Sequence, residues 1–249
     1  MISVVINTYN AEKHLAEVLE SVKNFDEIVI CDMESTDQTL SIARCYGCKI
    51  VTFPRGDITI VEPARDFAIH QASHPWVLVV DADEIVSDRL HSYLYSVVEG
   101  SNPPDGIYIP RRNYFLGKSM HALFPDYILR FFRQEVTTWP PVIHASPVVA
   151  GRVIKAPRNP RLALKHLAND TISMRLQKTD IYTENEVARR LNRHFGVWAF
   201  LSRPTHRFFK SYFFKGGWRD GFPGFIYACL DATYQVAMMG KVLEKQQEL

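Results

Sequence analysis

An acidic stretch in the first third of the chain has the residue types and spacing to bind a cation. An apolar run, residues 76–80, leads directly into three carboxylates, those of Asp81, Asp83 and Glu84. Side chains alternate along an extended segment, so Asp81 and Asp83 project to one side. Two carboxylates that close repel each other unless a cation lies between them, and hard oxygen ligands favour Mg²⁺ or Mn²⁺. The pattern indicates a divalent-metal site completed by substrate phosphates, with an acidic turn before a helix as the alternative.

The segments around these carboxylates show, in turn, the sequence pattern of a strand and that of a helix. Apolar runs at residues 2–6, 27–32, 49–53 and 76–80 indicate strands, and helical spacing separates them. We expect Asn10 to cap the first helix and Ser35, with Gln38 three residues on, to form a capping box for the second. The β-α-β-α-β-α-β order predicts a parallel sheet with right-handed crossovers.

Polar and aromatic residues follow the ends of three of these strands. Thr8 and Tyr9 follow the first, Asp32 ends the second, and Asp81 and Asp83 follow the fourth. Ligands of open α/β sheets bind at the carboxyl ends of the strands, so these residues are expected on one rim. Neither a G-x-G-x-x-G nor a P-loop motif is present, which disfavours a dinucleotide dehydrogenase or a P-loop enzyme. An aromatic ring, a carboxylate for a base N–H and a metal site together suit a nucleoside diphosphate.

Charge is distributed unevenly along the 249 residues, although the net charge is only +2. Residues 1–150 carry a net charge of −7, residues 151–220 a net charge of +10, and residues 221–249 a net charge of −1. From Phe195 onward aromatic and basic residues interleave, a pattern that fits either an anionic lipid surface or stacked nucleic-acid bases. We favour the membrane surface and expect no nucleic-acid partner.

Targeting and cysteine patterns indicate a cytoplasmic protein. The sequence enters a strand at Ile2 with no basic segment before it, which argues against a signal peptide. The four cysteines include one C-x-x-C pair, Cys45 and Cys48, but no second pair completes a zinc site. No uncharged apolar run approaches the roughly 20 residues that span a bilayer. We therefore expect a protein that is peripheral on the inner face of the cytoplasmic membrane.

Three segments of the chain resemble glycosyltransferase family 2 enzymes of GT-A fold. They are residues 4–12, residues 28–37 and residues 79–84, which end in the Asp-Ala-Asp-Glu run. Residues 125–133 and the Asp220-Gly221-x-x-Gly224 segment are similar to the lipopolysaccharide core β-1,4-glucosyltransferase-like subgroup. The resemblance implies an α/β protein of GT-A type with a Rossmann-like, mostly parallel central sheet flanked by helices. A helical, basic and aromatic extension is expected at its C-terminal end.

The resemblance also assigns roles to particular residues. It implies that Thr8, Tyr9 and Glu12 line the nucleotide base and ribose, that Asp32 pairs with the base, and that Arg65 lies near the diphosphate. Asp83 is implied as a direct metal ligand, and Asp81 as a contact of the ribose or the metal. His166 is a candidate further ligand, with a packing histidine as the alternative. The nucleotide-sugar-binding residues implied in this way are Thr8, Tyr9, Glu12, Asp32, Arg65, Asp81, Ala82 and Asp83.

One departure from the family pattern affects the catalytic base. Relatives often have Val-His-Glu where this chain has Ile143-His144-Ala145. Inverting sugar transfer needs a base that accepts the proton of the acceptor hydroxyl. If the glutamate of the relatives is that base, this chain lacks it. Asp126 is the first replacement candidate and His144 the second, with a turn or cap role as the alternative for Asp126.

The leading hypothesis is an inverting, metal-dependent glycosyltransferase with two domains. Residues 1–168 would bind the nucleotide-diphosphate sugar, expected to be a UDP-sugar, and transfer its hexose. Residues 169–249 would form a helical extension that faces the membrane or a lipid-linked or envelope saccharide acceptor. The alternatives are a nucleotidyltransferase on a related α/β rim and a non-catalytic protein that binds a membrane surface or nucleic acid.

Overall fold

Strands and helices alternate through the first hundred residues, as the apolar periodicity predicts. The computed structural model describes residues 1–56, 60–142 and 145–248. The strands in this part are β1 (Ile2–Thr8), β2 (Glu27–Asp32), β3 (Lys49–Thr52), β4 (Trp76–Asp81) and β5 (Glu84–Ile85). The helices are α1 (Glu12–Val22), α2 (Thr39–Cys45), α3 (Glu62–His70) and α4 (Asp88–Val98).

Short strands and then long helices make up the remainder. The strands are β6 (Gly106–Phe115), β7 (Lys118–Ser119), β8 (Asp126–Arg133), β9 (Thr137–Thr138), β10 (Val148–Val149), β11 (Val153–Lys155) and β12 (Leu164–Asp170). The helices are α5 (Ile172–Arg190), α6 (Val197–Phe209) and α7 (Phe222–Gln247). Alpha-helix α6 continues into a π-helical turn, Lys210–Phe214. Among the described residues, no helix is both long enough and apolar enough to cross a bilayer.

The main sheet has the strand order β3-β2-β1-β4-β8-β6-β12-β5. Strands β3, β2, β1 and β4 are parallel, which confirms the predicted βαβ arrangement. Strand β8 is antiparallel to both of its neighbours, β4 and β6, and β12 is antiparallel to β5. The α/β fold predicted from the sequence is therefore confirmed, with antiparallel strands added beyond β4.

The strand register aligns the residues that the sequence singles out. Thr8 pairs with Asp32 across β1 and β2, and Asn7 pairs with Asp81 across β1 and β4. Because parallel strands run in one direction, the carboxyl ends of β1, β2 and β4 lie at one edge. The predicted rim is therefore present.

Helix α1 shows how the sheet is covered. Its apolar positions Leu15, Val18, Leu19 and Val22 are all fully buried against the sheet core. Burying one side chain of this size stabilises the fold by about 2 kcal/mol. This face confirms the predicted amphipathic helix.

Both predicted caps are wrong. Helix α1 begins at Glu12 without a side-chain cap, and helix α2 begins at Thr39 rather than after Ser35. Asn10 instead has φ of 49°, and its Oδ1 accepts a hydrogen bond from the Thr36 amide at 2.8 Å. The side chains predicted to cap helices are used to join the loops after β1 and β2.

Contacts between residues divide the chain into two units. The first contains residues 1–112 and 125–167, and the second contains residues 113–124 and 168–249. The functional division into residues 1–168 and 169–249 stays a prediction.

The second unit is built around the long helix α7. Buried Met238, Met239 and Val242 of α7 pack with Val187 of α5 and with Phe195. Near the start of α7, buried Tyr227 packs with Phe115 and Met120 of the β6–β7 hairpin segment. Polar contacts add to this packing. The carboxylate of Asp220 is fully buried and accepts hydrogen bonds from the backbone N–H groups of His121 and Ala122 at 2.8 and 3.1 Å.

Candidate active site

Two arginines bind the first aspartate after β4. Arg65 Nη2 donates to Asp81 Oδ1 at 2.6 Å, and Arg130 Nη2 donates to Asp81 Oδ2 at 2.7 Å. Arg65 comes from α3 and Arg130 from β8, so a helix and an antiparallel strand meet at the end of β4. The indole ring of Trp139 lies beside both guanidinium groups, 5.0 Å from Arg65 and 5.6 Å from Arg130. Asp81 is thereby fixed in position by charge-assisted hydrogen bonds.

The surroundings of Asp81 and Glu84 shift the pKa values of the two carboxyl groups in opposite directions. Burial alone would raise the pKa of Asp81, but Arg130, Arg65 and Arg111 outweigh it and hold this pKa at about 2. Glu84 is fully buried, and burial together with the charge of Asp81 raises its pKa. Glu84 Oε2 accepts a hydrogen bond from the Asp81 amide at 3.1 Å. Asp81 therefore stays ionised while Glu84 holds a proton more readily than an exposed glutamate.

Arg111 joins Glu84 to the candidate base Asp126. Its Nε and Nη2 donate to Asp126 Oδ2 at 3.0 and 2.8 Å, and its Nη1 lies 3.4 Å from Glu84 Oε1. Asp126 is also the cross-strand partner of Arg111 between β8 and β6. Asp126 thus lies at the same end of the sheet as the acidic stretch, with one carboxylate oxygen bound to a guanidinium.

The second aspartate of the acidic stretch meets a histidine from the far end of the first unit. His166 Nε2 lies 3.3 Å from Asp83 Oδ2, and both side chains are partly exposed. The contact follows from strand pairing, because His166 of β12 is opposite Glu84 of β5 and the Leu167 amide donates to the Asp83 carbonyl at 2.7 Å. Ala82, between the two aspartates, packs against the core beneath.

Asp32 is buried under the loops that follow β1 and β2. Thr8 Oγ1 donates to Asp32 Oδ1 at 2.9 Å, and Ser35 donates from its hydroxyl to Oδ1 at 2.6 Å and from its amide to Oδ2 at 2.9 Å. Both carboxylate oxygens therefore already have donors within the protein. The pairing of Asp32 with a nucleotide base stays a prediction.

A pocket of about 180 Å³ opens beside Thr8 at the end of β1. Tyr9 is 44% exposed there, and the guanidinium of Arg55 lies 3.9 Å from the centre of its ring. Asn7 also lines this pocket, and its buried amide atoms have no hydrogen-bond partner among the described residues apart from the neighbouring Cys31 thiol. An exposed ring beside an unsatisfied amide suits a flat, polar ligand such as a nucleotide base.

Glu12 stabilises the loop next to this pocket. Its Oε2 accepts a hydrogen bond from the Gln38 amide at 3.0 Å, and its own amide donates to Asp37 Oδ2 at 3.1 Å. Its predicted contact with the nucleotide stays a prediction. His144, the second candidate base, lies outside the described residues.

The side chains at this site could hold a divalent cation only together with a bound substrate that supplies further oxygen ligands. Among the described residues there is no group of three or more His, Cys, Asp or Glu side chains that could hold a metal ion. Asp83 supplies one carboxylate oxygen, the ligand type that Mg²⁺ and Mn²⁺ prefer, and His166 supplies one imidazole nitrogen, so phosphate oxygens would have to fill the remaining positions. Both oxygens of Asp81 face guanidinium groups, so the geometry favours Asp83 over Asp81 as a ligand.

Comparison with known proteins identifies the family. The family model described as glycosyl transferase family 2 matches residues 3–152, which include the acidic stretch, Arg65, Arg130 and Trp139. The chain belongs to glycosyltransferase family 2. It is therefore a transferase enzyme, and family membership favours glycosyl transfer over the nucleotidyl-transfer and non-catalytic alternatives.

Two related sequences extend the match. The chain is 27% identical over 255 residues to the lipopolysaccharide core biosynthesis glycosyltransferase LpsC of Rhizobium meliloti (strain 1021), covering 98% of this chain and 92% of that protein. It is also 36% identical over 103 residues to an uncharacterized glycosyltransferase of Rickettsia typhi, covering 41% of this chain and 34% of that protein. The similarity to LpsC thus extends into the helical C-terminal part.

Solved structures share the fold at low identity. The mannosyltransferase PcManGT from Pyrobaculum calidifontis, in complex with GDP-Man and Mn²⁺, superposes with a TM-score of 0.59 and 14% identity, covering 98% of this chain and 87% of that chain. Staphylococcus aureus TarS 1-349 in complex with UDP-GlcNAc superposes with a TM-score of 0.51 and 16% identity, covering 99% and 90%. These neighbours confirm the GT-A fold.

Several residues of this family 2 site have no clear signal in the sequence. Arg130 binds Asp81, Trp139 lies beside Arg130, and Arg55 lies over Tyr9, although these residues are far apart in the sequence. An arginine three positions before a strand ends and an isolated tryptophan are not distinctive in a sequence. Only the family pattern of residues 125–133 pointed to Arg130.

Proposed function

We propose that this enzyme transfers a hexose from a nucleoside-diphosphate sugar to a saccharide acceptor, with inversion at the anomeric carbon. The donor is a UDP-sugar, the acceptor is a lipid-linked or cell-envelope saccharide, and the reaction depends on Mg²⁺ or Mn²⁺. The observation that carries this proposal is the 3.3 Å approach of His166 to Asp83 in a family 2 chain.

The base and ribose of the donor would bind in the pocket at the end of β1. Tyr9 would stack on the base, and stacking of a base on an aromatic ring contributes about 1–3 kcal/mol. Thr8 and Glu12 would line the base and ribose together with Tyr9, and Asp32 would pair with the base. The unsatisfied amide of Asn7 adds a donor and an acceptor that the sequence alone did not suggest.

The diphosphate would lie between the acidic stretch and the arginines. Arg65 Nε and Arg130 Nη1 are buried without a hydrogen-bond partner among the described residues, and each N–H group would become available to a phosphate oxygen when its side chain shifts toward a bound diphosphate. Asp83 and His166 would hold the divalent ion, which neutralises the departing diphosphate as a Lewis acid when it is bound. Asp81 would keep both arginines oriented toward the same point.

The acceptor hydroxyl would attack the anomeric carbon from the face opposite the diphosphate. The new bond joins the acceptor oxygen to that carbon, the bond to the diphosphate oxygen breaks, and the hydroxyl proton passes to a protein base. Asp126 is our first candidate for that base and His144 the second, because Ala145 stands where relatives often have glutamate. Arg111 binds Asp126 Oδ2 and would orient the carboxylate toward the acceptor.

The nature of the acceptor is supported by the relatives. LpsC is named for lipopolysaccharide core biosynthesis, and the chain matches nearly its whole length. An acceptor of this kind is anchored in a membrane, so we propose that the enzyme works at the inner face of the cytoplasmic membrane. Residues 1–168 would bind the donor, and residues 169–249 would face the acceptor or the membrane.

A donor screen tests this function. The melting temperature of the protein is measured with UDP-glucose, UDP-GlcNAc and GDP-mannose, each with Mn²⁺ and with a chelator. We expect at least one UDP-sugar to raise the melting temperature in Mn²⁺ and not in the chelator, followed by slow release of UDP. A protein stabilised by none of these donors, or equally with and without metal, would contradict the proposal.

A further inference from the structure

The second unit has an open basic cavity that takes no part in the site described above. The cavity has a volume of about 370 Å³ and is lined by Ser202, Arg203, His206, Arg207, Lys210 and Gln235. Four of these side chains, at positions 203, 206, 207 and 210, have the i, i+3, i+4, i+7 spacing of one helix face. The face therefore gathers basic groups from two successive turns around one opening.

The cations of this cavity are only partly neutralised. Arg207 Nε lies 2.9 Å from Oδ2 of the largely buried Asp231 on α7, which fixes this arginine in place. Arg203 lies over the ring of Phe195 at 4.9 Å. Among the described residues, Arg203, His206 and Lys210 make no ion pair with a carboxylate, and residues 195–219 contain no aspartate or glutamate. The cavity is thus complementary to an anion.

Lys210 lies at a local change in helix geometry. Helix α6 ends at Phe209, and the chain continues as a π-helical turn from Lys210 to Phe214. Turns of this kind are rare and often occur at functional sites, because the wider turn shifts the side chains that follow it.

A second face of α6 is apolar and exposed. Val197 is 79% exposed, Trp198 77% and Leu201 58%, and Phe209 and Phe214 continue the apolar surface at 49% and 87%. By helical periodicity Trp198 and Phe209 lie within about 80° of His206 around α6 and border the basic cavity, whereas Val197 and Leu201 lie on the side of α6 away from it. Large apolar side chains at this exposure mark a surface that is covered in function.

We propose that the cavity binds the phosphate of an anionic membrane lipid while the exposed apolar face of α6 lies in the membrane interface. A soluble phosphate compound would neutralise the cavity but leave the neighbouring Trp198 and Phe209 in water. A second copy of the chain, paired face to face, would bring the same cations together and repel. An anionic lipid surface satisfies both faces, since aromatic side chains favour the interface and cations favour anionic headgroups.

Vesicle binding by the full chain, measured without any sugar nucleotide, tests the proposal. Because no donor is present, failure here leaves the proposed transfer reaction untouched. Vesicles of phosphatidylcholine alone are compared with vesicles that contain about one-third phosphatidylglycerol, by flotation and by tryptophan fluorescence, and the variant W198F identifies the share of the signal that comes from Trp198. We expect binding and a blue shift only with the anionic vesicles.

Paired variants locate the binding site. The variant R203Q/K210Q removes two cavity cations and is expected to lower vesicle affinity about 30-fold, since each cation near an anionic surface contributes about fivefold. The control R189Q/K245Q removes two exposed cations from α5 and the end of α7 and is expected to lower it less than about threefold. The charge-conserving variant R203K/K210R is expected to bind like the wild type, and it remains informative if R203Q/K210Q does not fold.

Several outcomes would overturn the proposal. These are no binding to anionic vesicles, equal binding to neutral vesicles, equal losses in R203Q/K210Q and R189Q/K245Q, or loss of binding in R203K/K210R. A Trp198 blue shift that depends on protein concentration in the absence of vesicles would instead assign the surface to self-association. Vesicle binding that 10 mM inorganic phosphate abolishes at constant ionic strength would assign the cavity to a soluble phosphate.

Discussion

His166 lies with its Nε2 3.3 Å from Oδ2 of Asp83, although 82 residues separate them in the chain. The antiparallel pairing of β12 with β5 produces this approach, because it places His166 opposite Glu84. The pair supplies one nitrogen and one oxygen at the carboxyl end of β4. The proposed metal dependence rests on this relationship.

Replacing either member of the pair should abolish the metal dependence of donor turnover. We expect D83N and H166A each to lower the Mn²⁺-dependent release of UDP about 10- to 100-fold, since each removes one ligand of the ion. The double variant should lose little more than D83N, because the two side chains act on one ion. The control D88N removes an exposed carboxylate from the first turn of α4 and should retain wild-type release. If the losses of UDP release in D83N and H166A add up in the double variant, His166 does not act on the metal.

The arginines around Asp81 should make it a major contributor to stability. In D81N, two buried guanidinium groups would lose their carboxylate, and we expect unfolding to become easier by about 3 kcal/mol at pH 7. The folded-state pKa of Asp81 is held at about 2, below its ordinary value, so its contribution is present above pH 4 and is lost as the pH falls toward 2. Denaturant unfolding in a chelator should show the difference between D81N and wild type shrinking over that range. A difference that stays constant from pH 7 to pH 3 would argue against this account.

Tyr9 should contribute to donor binding through its ring and not through its hydroxyl. We expect Y9A to weaken UDP affinity about 5- to 100-fold, which corresponds to the loss of one base stack, while Y9F retains it. Calorimetric titration with UDP in the presence of Mn²⁺ measures the affinity of each variant. Y46A, which removes another exposed tyrosine at the end of α2, is the matched control. If Y9A and wild type bind UDP with equal affinity, the base does not bind in this pocket.

Two glycines of α7 should respond to alanine in opposite directions. A Cβ at Gly224 would lie 1.9 Å from the Gly217 carbonyl oxygen and 2.8 Å from Asp220 Cβ, whereas a Cβ at Gly240 would meet nothing within 4 Å. We expect G224A to destabilise the protein by about 3 kcal/mol through overpacking. G240A should stabilise it by about 0.5–1 kcal/mol, because alanine favours the helix. The melting temperatures of the two variants and of the wild type test both expectations. A G224A variant that melts at the wild-type temperature would contradict the close packing at Gly224.

The sheet and its acidic rim could be predicted because they depend on local patterns and on general rules of topology. Residues 76–80 are apolar without interruption, and the parallel order then places Thr8, Asp32 and Asp81 at one edge. Helix α1 follows from the spacing of four apolar residues. These features require no knowledge of distant contacts.

The parts that sequence reasoning missed depend on contacts between distant segments. Asn10 and Ser35 have the residue types of helix caps, but each binds a partner on another loop or strand end. Arg130 reaches Asp81 only because β8 runs back antiparallel to β4, and Trp139 then lies beside Arg130. His166 has no local feature that separates a ligand from a packing histidine. Its role emerges only when β12 is paired with β5.

The linkage between metal and nucleotide binding tests the central claim most directly. Asp83 and His166 alone offer too few ligands to hold a divalent ion tightly, so the ion and the donor diphosphate should bind together. Titration of Mn²⁺ into the wild-type protein with and without UDP measures this coupling. We predict that UDP raises the affinity for Mn²⁺ at least about tenfold, and that Mn²⁺ raises the affinity for UDP by the same factor. Affinities for Mn²⁺ and UDP that are independent of each other would contradict the account.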